Sequence, residues 1–377
     1  MIRFNIPMKA PDTERYIQEA IESRALAGDG PFARKCEELI EKKIGSKKFF
    51  LAPSGTAALE LACMLCGIGP DDEMIVPSYT FSTSAASSVQ FGGRPVFVDI
   101  RPDTMNIDET KIEAAITEKT KAIMVVHYAA VGCEMDTICA IARKHGLYVI
   151  EDAAQALNAT YKGKYLGTIG DVGCFSFHAT KNYNMGEGGG ISVNNPEMIE
   201  KAYHMRDSGT DSYDFERGMV AAYTWVEKGS SYLPSDLQCA YLYPQLLMMD
   251  DIKADRLKSW QRYYEALRPL EEEGWIDLLE VPDYCDHNGH IFYVKCKDNA
   301  EREALRLFLK ERGIQAVFHY QPLHSSKAGK RYGRFCGEDV YTTKDSSRLL
   351  RLPLYYGLTA EDLDTVVKTV KEFYGKA

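Results

Sequence analysis

The chain has 377 residues, with 45 Lys and Arg against 54 Asp and Glu, a formal net charge of −9. That balance argues against general binding of nucleic acid or of an anionic membrane surface, while leaving room for a local cationic pocket. With 45% hydrophobic and 26% charged residues the chain can bury a sizeable core, and its length suggests two domains.

No run approaches the ~20 apolar residues of a membrane-spanning helix. The opening MIRFNIPMKAPDTERY has no long apolar stretch, so no signal peptide is expected. Ten scattered cysteines suit reduced thiols in a cytoplasmic protein better than a disulfide framework. Cys63 and Cys66 form a CxxC, but no second pair stands nearby to complete a zinc site. They read as small apolar residues of a buried helix, and no metal is expected.

In chain order, KKFFLAP reads as a strand and is followed by a helix from about Ser54 to Cys66. EMIVP is a strand, with a helix after Tyr79. RPVFVDI, KAIMVVHYA and LYVIEDAA are strands rich in Val, Ile and aromatics, separated by helices in DETKIEAAI and MDTICAIARKH. GCFSFH and GGISVN add two strands around a glycine-rich loop. The alternation predicts a mostly parallel sheet covered by helices, with ligands at the carboxyl ends of the strands. A long helical stretch is expected from about Ser235 to Leu267. HIFYVKC, a helix in AEREALRLFLKERG, a strand IQAVFHY and a last helix after Thr359 predict a smaller α+β unit. The expected division is a large α/β domain over residues 1–250, with an N-terminal helical segment, and a small α+β domain over residues 251–377.

Three segments fall where strand ends should converge. Pro53-Ser54-Gly55-Thr56 joins a strand to a helix, where glycine permits close approach and free N–H groups can hold a phosphate. An ordinary Ser N-cap explains it equally well. Glu151-Asp152-Ala153-Ala154-Gln155 ends a hydrophobic strand, where a carboxylate is costly without a partner. Asp152 could pair with a protonated pyridine nitrogen; a helix N-cap and a surface acid are the plain alternative. Ser176-Phe177-His178-Ala179-Thr180-Lys181-Asn182 precedes Gly186-Glu187-Gly188-Gly189-Gly190. A lysine held there could form an imine with an aldehyde, and burial would lower its pKa. Alone, Lys181 would read as a surface charge and His178 as a satisfied histidine.

Taken together, PSGTAAL, PSYTF, EDAAQA, SFHATKN and GEGG resemble the sugar-nucleotide aminotransferases of the DegT type, within the fold-type I pyridoxal 5'-phosphate (PLP) enzymes. The resemblance runs over essentially the whole chain. It implies that Lys181 joins PLP as a Schiff base and that Asp152 partners the ring nitrogen, the two being the catalytic residues. It further implies that Gln155 lies near the ring's phenolic oxygen and that Phe81 stacks on the ring. Gly55, Thr56 and Ser176 would hold the phosphate, and His319 and Tyr320 would touch the sugar nucleotide. A homodimer with active sites at the subunit interface is expected, using a sugar-nucleotide substrate and an amino-acid donor.

One departure concerns the asparagine that many relatives reach across from the neighbouring subunit. The matching stretch here is Tyr232-Leu233-Pro234-Ser235-Asp236, so that contact is expected to be absent or supplied differently, with Ser230 and Ser231 as the candidates. DGPFARKCE, VDIRPDTMNIDE, SSYLPSDLQ, FHYQPLHSSKAG and YTTKDSSRLLRLPLYY are similar to family members that aminate C4 of a dTDP-linked 4-keto-6-deoxy sugar. A 3-aminotransferase with the same machinery and a non-catalytic binding or regulatory protein are the alternatives. Related dehydratases carry histidine in place of the lysine, which Lys181 argues against. Lys327, Lys330 and Arg331 are candidate cations for the diphosphate, though as a cluster they read more simply as surface charge.

Overall fold

The structure is a computed structural model and describes residues 1–376. Its strands, in chain order, are β1 (Lys48–Ala52), β2 (Glu73–Pro77), β3 (Arg94–Val98), β4 (Thr120–Val126), β5 (Tyr148–Asp152), β6 (Thr160–Tyr161) and β7 (Lys164–Tyr165). They continue with β8 (Val172–Ser176), β9 (Gly189–Val193), β10 (Asp277–Leu278), β11 (Cys285–Asp286), β12 (Phe292–Lys295), β13 (Arg334–Phe335) and β14 (Leu349–Leu352).

The main sheet has the order β1-β9-β8-β5-β4-β2-β3-β13. Its pairings are parallel except at β9, which runs antiparallel to both β1 and β8. Alternate residues of one strand enter separate cores: Phe49, Ile75, Ile123 and Val125 on one face, and Phe50, Met74, Val76 and Met124 on the other. This is the period-2 consequence of a sheet covered on both sides. The fold is α/β, as the alternation of strand and helix predicts. A second sheet, β10-β12-β14, is antiparallel and packs against the helices Met249–Glu272 and Asn299–Glu311, both of which the helix Ala360–Phe373 contacts. No helix among the described residues is long and apolar enough to cross a membrane. All ten cysteines are free; burial pushes the Cys63 thiol up to about 12, as suits a packed residue.

Two segments differ from expectation. The helical stretch after Ser235 is two helices, Asp236–Leu247 and Met249–Glu272, broken at Met248 (φ −105°, ψ 18°). Pro244 removes a backbone donor one turn earlier, which weakens the end of the first helix. Residues 314–320 are not a strand. They make only isolated bridges, Ile314 to Ile2 and Val317 to Arg351. The β-favouring side chains are overridden because the chain leaves the sheet edge and His319 and Tyr320 turn into a cavity.

Candidate active site

Because β1, β2, β4, β5 and β8 run the same way, their carboxyl ends meet at one edge, joined there by the start of β9: Gly189 pairs with both Ala52 and Ser176. A cavity of about 600 Å³ opens at this edge, lined by Gly55, Thr56, Phe81, Asp152, Gln155, Ser176, Lys181, His319 and Tyr320, but not by Ser230 or Ser231.

After β1, Ser54 caps the helix Gly55–Leu65 by accepting a hydrogen bond from the Ala57 N–H at 3.0 Å. The first N–H groups of that helix have no carbonyl behind them and point towards the cavity mouth. Crowding explains the glycines. A Cβ on Gly55 would come within 3.0 Å of Ser176 Cβ, and one on Gly189 within 2.4 Å of the Ser54 carbonyl. Only bare backbone fits, and this leaves an anion cradle between Gly55, Thr56 and Ser176.

The acid pair at the end of β5 divides by strand alternation. Asp152 is 5% exposed; its Oδ2 accepts from the Ser84 hydroxyl at 2.7 Å and its Oδ1 from the Ala154 N–H at 3.1 Å. Burial raises its pKa, opposed by those two bonds and by the charge of Lys181. Two bonds leave acceptor capacity on this carboxylate for a cation in the cavity. Glu151, on the other face, is no surface acid. It is fully buried and accepts N–H bonds from Gly167, Ile169 and Gly170 at 2.6–2.7 Å, with His127 Nε2 at 2.9 Å. The cost of that acid is met by fastening the 167–170 loop.

Lys181 sits in the connection from β8 to β9. That loop closes on itself through Phe177 N–H to the Gly188 carbonyl and Ala179 N–H to the Gly186 carbonyl. Burial lowers the Lys181 amine to about 8, with Arg351 acting in the same direction and Asp152 opposing. About a tenth of the amine is then free at pH 7, against roughly one part in three thousand at its ordinary value. Gln155 accepts the Ala129 N–H at 2.7 Å and donates to the Tyr320 hydroxyl at 3.4 Å. Phe81, 55% exposed, faces the same space 6.1 Å from the Tyr320 ring. His319 Nδ1 lies 3.1 Å from the Tyr128 hydroxyl, and its carbonyl accepts from Tyr79.

Sequence reasoning missed two residues of the cavity wall. His290 is held by Asn182, the residue after the lysine. Asn182 donates to the Asn288 carbonyl at 3.1 Å, so its Oδ1 must accept from His290 Nδ1 at 2.8 Å. Nε2 is left as a bare acceptor, and burial together with the Lys181 charge keeps the ring neutral. Arg351 lies on β14 between the buried Leu350 and Leu352. A cation set inside an apolar strand is the signal that could have found it. Lys327, Lys330 and Arg331 do not line the cavity. The departing stretch after Ser231 is used internally: Asp236 accepts the Phe32 and Ala33 N–H groups at the start of the helix Pro31–Ile44.

Residues 7–371 match the model of the DegT/DnrJ/EryC1/StrS aminotransferase family. The chain belongs to that family. It is 35% identical over 367 residues to a pleiotropic regulatory protein of Geobacillus stearothermophilus, covering 97% of this chain and 95% of that one. It is 33% identical over 377 residues to the spore coat polysaccharide biosynthesis protein SpsC of Bacillus subtilis, covering 98% and 96%. Among solved structures, the putative sugar aminotransferase Spr1654 of Streptococcus pneumoniae is similar in its PLP form (TM-score 0.86, 28% identity, 99% of each chain). Its PMP form is similar too (TM-score 0.89, 26% identity, 100% of each chain).

The family's cofactor is PLP, and the wall of this cavity fits it. The cradle at Gly55 and Ser176 is cleared of Cβ atoms, as a phosphate requires, and the buried Asp152 has capacity for a ring N–H. The Lys181 amine, with its lowered pKa, faces the same space.

Proposed function

We propose that this sugar aminotransferase moves an amino group from L-glutamate to C4 of dTDP-4-keto-6-deoxy-D-glucose. The products are dTDP-4-amino-4,6-dideoxy-D-galactose and 2-oxoglutarate. The observation that carries the catalytic part is the convergence of the Lys181 amine, the Asp152 carboxylate and the Gly55–Ser176 cradle on one cavity. PLP, when bound, supplies an electron sink for the carbon that loses its proton. Gly55, Thr56 and Ser176 would hold its phosphate, Phe81 would cover its ring and Gln155 would face its phenolic oxygen. Asp152 would pair with the ring nitrogen and favour its protonated form. Lys181 Nζ takes the proton from the donor's α-carbon, and in the second half-reaction it returns a proton at the sugar carbon that gains nitrogen. The neutral acceptor Nε2 of His290 stands in the same wall and does not compete with Lys181 for that proton.

The substrate assignment is supported by likeness in segments away from the cofactor cradle. FHYQPLHSSKAG contains His319 and Tyr320, whose rings line the cavity, and these two contact the sugar nucleotide. A homodimer is supported by an exposed apolar patch. Phe215, Met219, Tyr223 and Trp225 are 46%, 61%, 59% and 79% exposed, a concentration that asks for a partner surface. The patch adjoins the 229–236 stretch, so the second copy would complete the site.

Incubation with glutamate and the dTDP-linked 4-keto sugar, followed by NMR of the product, tests the reading. An axial amine at C4 supports it. Nitrogen at C3 moves the assignment to a 3-aminotransferase. The regulatory name of the Geobacillus relative favours a second reading, a PLP-binding regulator. Loss of a visible absorbance band on adding glutamate separates the enzyme from that binder.

A further inference from the structure

Residues 3–9 belong to no helix or strand, yet the chain from Ile2 to Met8 is tied down at both ends. At one end, the Ile2 N–H donates to the Gly313 carbonyl at 2.8 Å, and the Ile2 carbonyl accepts the Gln315 N–H at 3.0 Å. The Phe4 N–H donates to Gln315 Oε1 at 3.1 Å, and the Phe4 carbonyl accepts the Leu354 N–H at 3.4 Å. At the other end, the Met8 carbonyl accepts from Asn184 Nδ2 at 3.0 Å and from the Tyr241 hydroxyl at 3.1 Å. Midway, Asn5 Nδ2 donates to the Ala179 carbonyl at 3.3 Å. Ala179 and Asn184 both lie in the connection from β8 to β9 that carries Lys181. Pro7 fixes its own φ and favours an extended Ile6, which stiffens the span between the anchors.

We propose that residues 2–8 are a strap that sets the lysine loop in register with the segment carrying His319 and Tyr320, and that Asn5 is a positioning residue for Lys181. The effect on rate rests on the aminotransferase reading; the hold on the loop does not. Lys181 Nζ has to carry a proton between two positions, so the backbone beneath it must stay still. The bonds from Phe177 to Gly188, Ala179 to Gly186 and Lys181 to His178 are internal to the loop and would let it shift as one piece. Just after the lysine, Asn182 ties it to Asn288 and His290. Just before the lysine, the tie is Asn5. Among the described residues, its bond to Ala179 is the only hydrogen bond that reaches residues 178–181 from outside the 176–188 stretch. Gln315, at the other end of the strap, stands four residues before His319. One short span therefore fixes how far that segment sits from the lysine, and Phe4, between the anchors, lines the cavity they share.

The test compares wild type with Asn5→Ala, Asn5→Asp and, as a control on the strap, Ile6→Ala, whose side chain is exposed. Asn5→Asp keeps the shape but turns an acceptor to the Ala179 carbonyl, so it should do more harm than Asn5→Ala. Hydrogen exchange followed by mass spectrometry on the cofactor-free protein reads the loop directly. Peptides covering 177–188 should exchange about three- to tenfold faster in Asn5→Ala, the range for losing one hydrogen bond, and faster still in Asn5→Asp. Peptides from β4 and β5 should be unchanged. In the holoenzyme, the limiting rate of the absorbance change on glutamate should fall by a similar factor. Half-saturating glutamate should change by less than about twofold, because the strap positions the lysine and not the donor. Ile6→Ala should leave both readings as in wild type. Unchanged exchange over 177–188, or Asn5→Asp no worse than Asn5→Ala, would overturn the hold on the loop. Faster exchange throughout the chain, with a lower unfolding midpoint, would make Asn5 a general structural contact and overturn it as well. Faster loop exchange with an unchanged limiting rate would overturn the positioning role. If wild type gives no absorbance change with glutamate, the aminotransferase reading falls, and exchange alone decides the hold on the loop.

Discussion

Replacing Lys181 with Met should make the cofactor-free protein more stable at neutral pH. The amine is lowered from 10.5 to about 8, chiefly by burial, so its protonated form is disfavoured in the folded state. The shift of about 2.5 units, at about 1.36 kcal/mol each, corresponds to about 3 kcal/mol. That is an upper value, because the amine borders a cavity that water can enter. The attraction to Asp152 is already contained in it. The sign follows from proton counting. Between pH ~8 and ~10.5 the unfolded chain carries a proton on this amine and the folded chain does not, so stability rises with pH across that window. Below pH ~8 both states are protonated and the cost is present in full. Lys181→Met removes the charge at similar length, so the gain is largest at pH 7 and falls below about 1 kcal/mol at pH 10. Urea unfolding of both proteins, stripped of cofactor, at pH 7 and pH 10 measures it. A variant no more stable than wild type at pH 7, or a difference that grows with pH, would refute the reasoning.

Asp152→Asn keeps the Ser84 contact but loses the charge that faces the cavity; single-turnover reaction with glutamate should slow by roughly tens to a thousandfold, read by stopped-flow absorbance. Gly55→Ala puts a Cβ 3.0 Å from Ser176 Cβ, so the cradle must open. Cofactor affinity should fall by about tenfold or more while the unfolding midpoint of the cofactor-free protein moves little; equilibrium dialysis against PLP checks this. Trp225→Ser with Tyr223→Ser strips the most exposed aromatics from the patch. Sedimentation should then show a shift from dimer towards monomer with reduced activity at low protein concentration, and an unchanged, fully active dimer would place the interface elsewhere.

Much of the site was legible in the sequence because its parts are local. A phosphate cradle needs a strand, a glycine and a helix start within a few residues, and 53–56 supplies them in order. Asp152 and Lys181 each stand at or just beyond the end of a hydrophobic strand, so the parallel arrangement predicted from strand–helix alternation already implied that they converge. Chain pattern also announced the sheet itself, since alternate residues of β2 and β4 had to satisfy two separate cores. Pairing decided the rest. Nothing local separates Glu151 from Asp152; only the sheet shows that one faces the 167–170 loop and the other the cavity. The β-favouring run at 314–320 had no strand beside it to pair with along its length, so it became the irregular segment that carries His319 and Tyr320 to the site. Arg351 reads as one more cation in RLLRLPLYY until β14 packs Leu350 and Leu352 inward and sets it, with no ion pair among the described residues, in the wall of the cavity that Lys181 also lines, 170 positions away in the chain. Short-range chemistry is written in neighbouring residues, whereas an unpaired charge is defined by what the fold fails to bring to it.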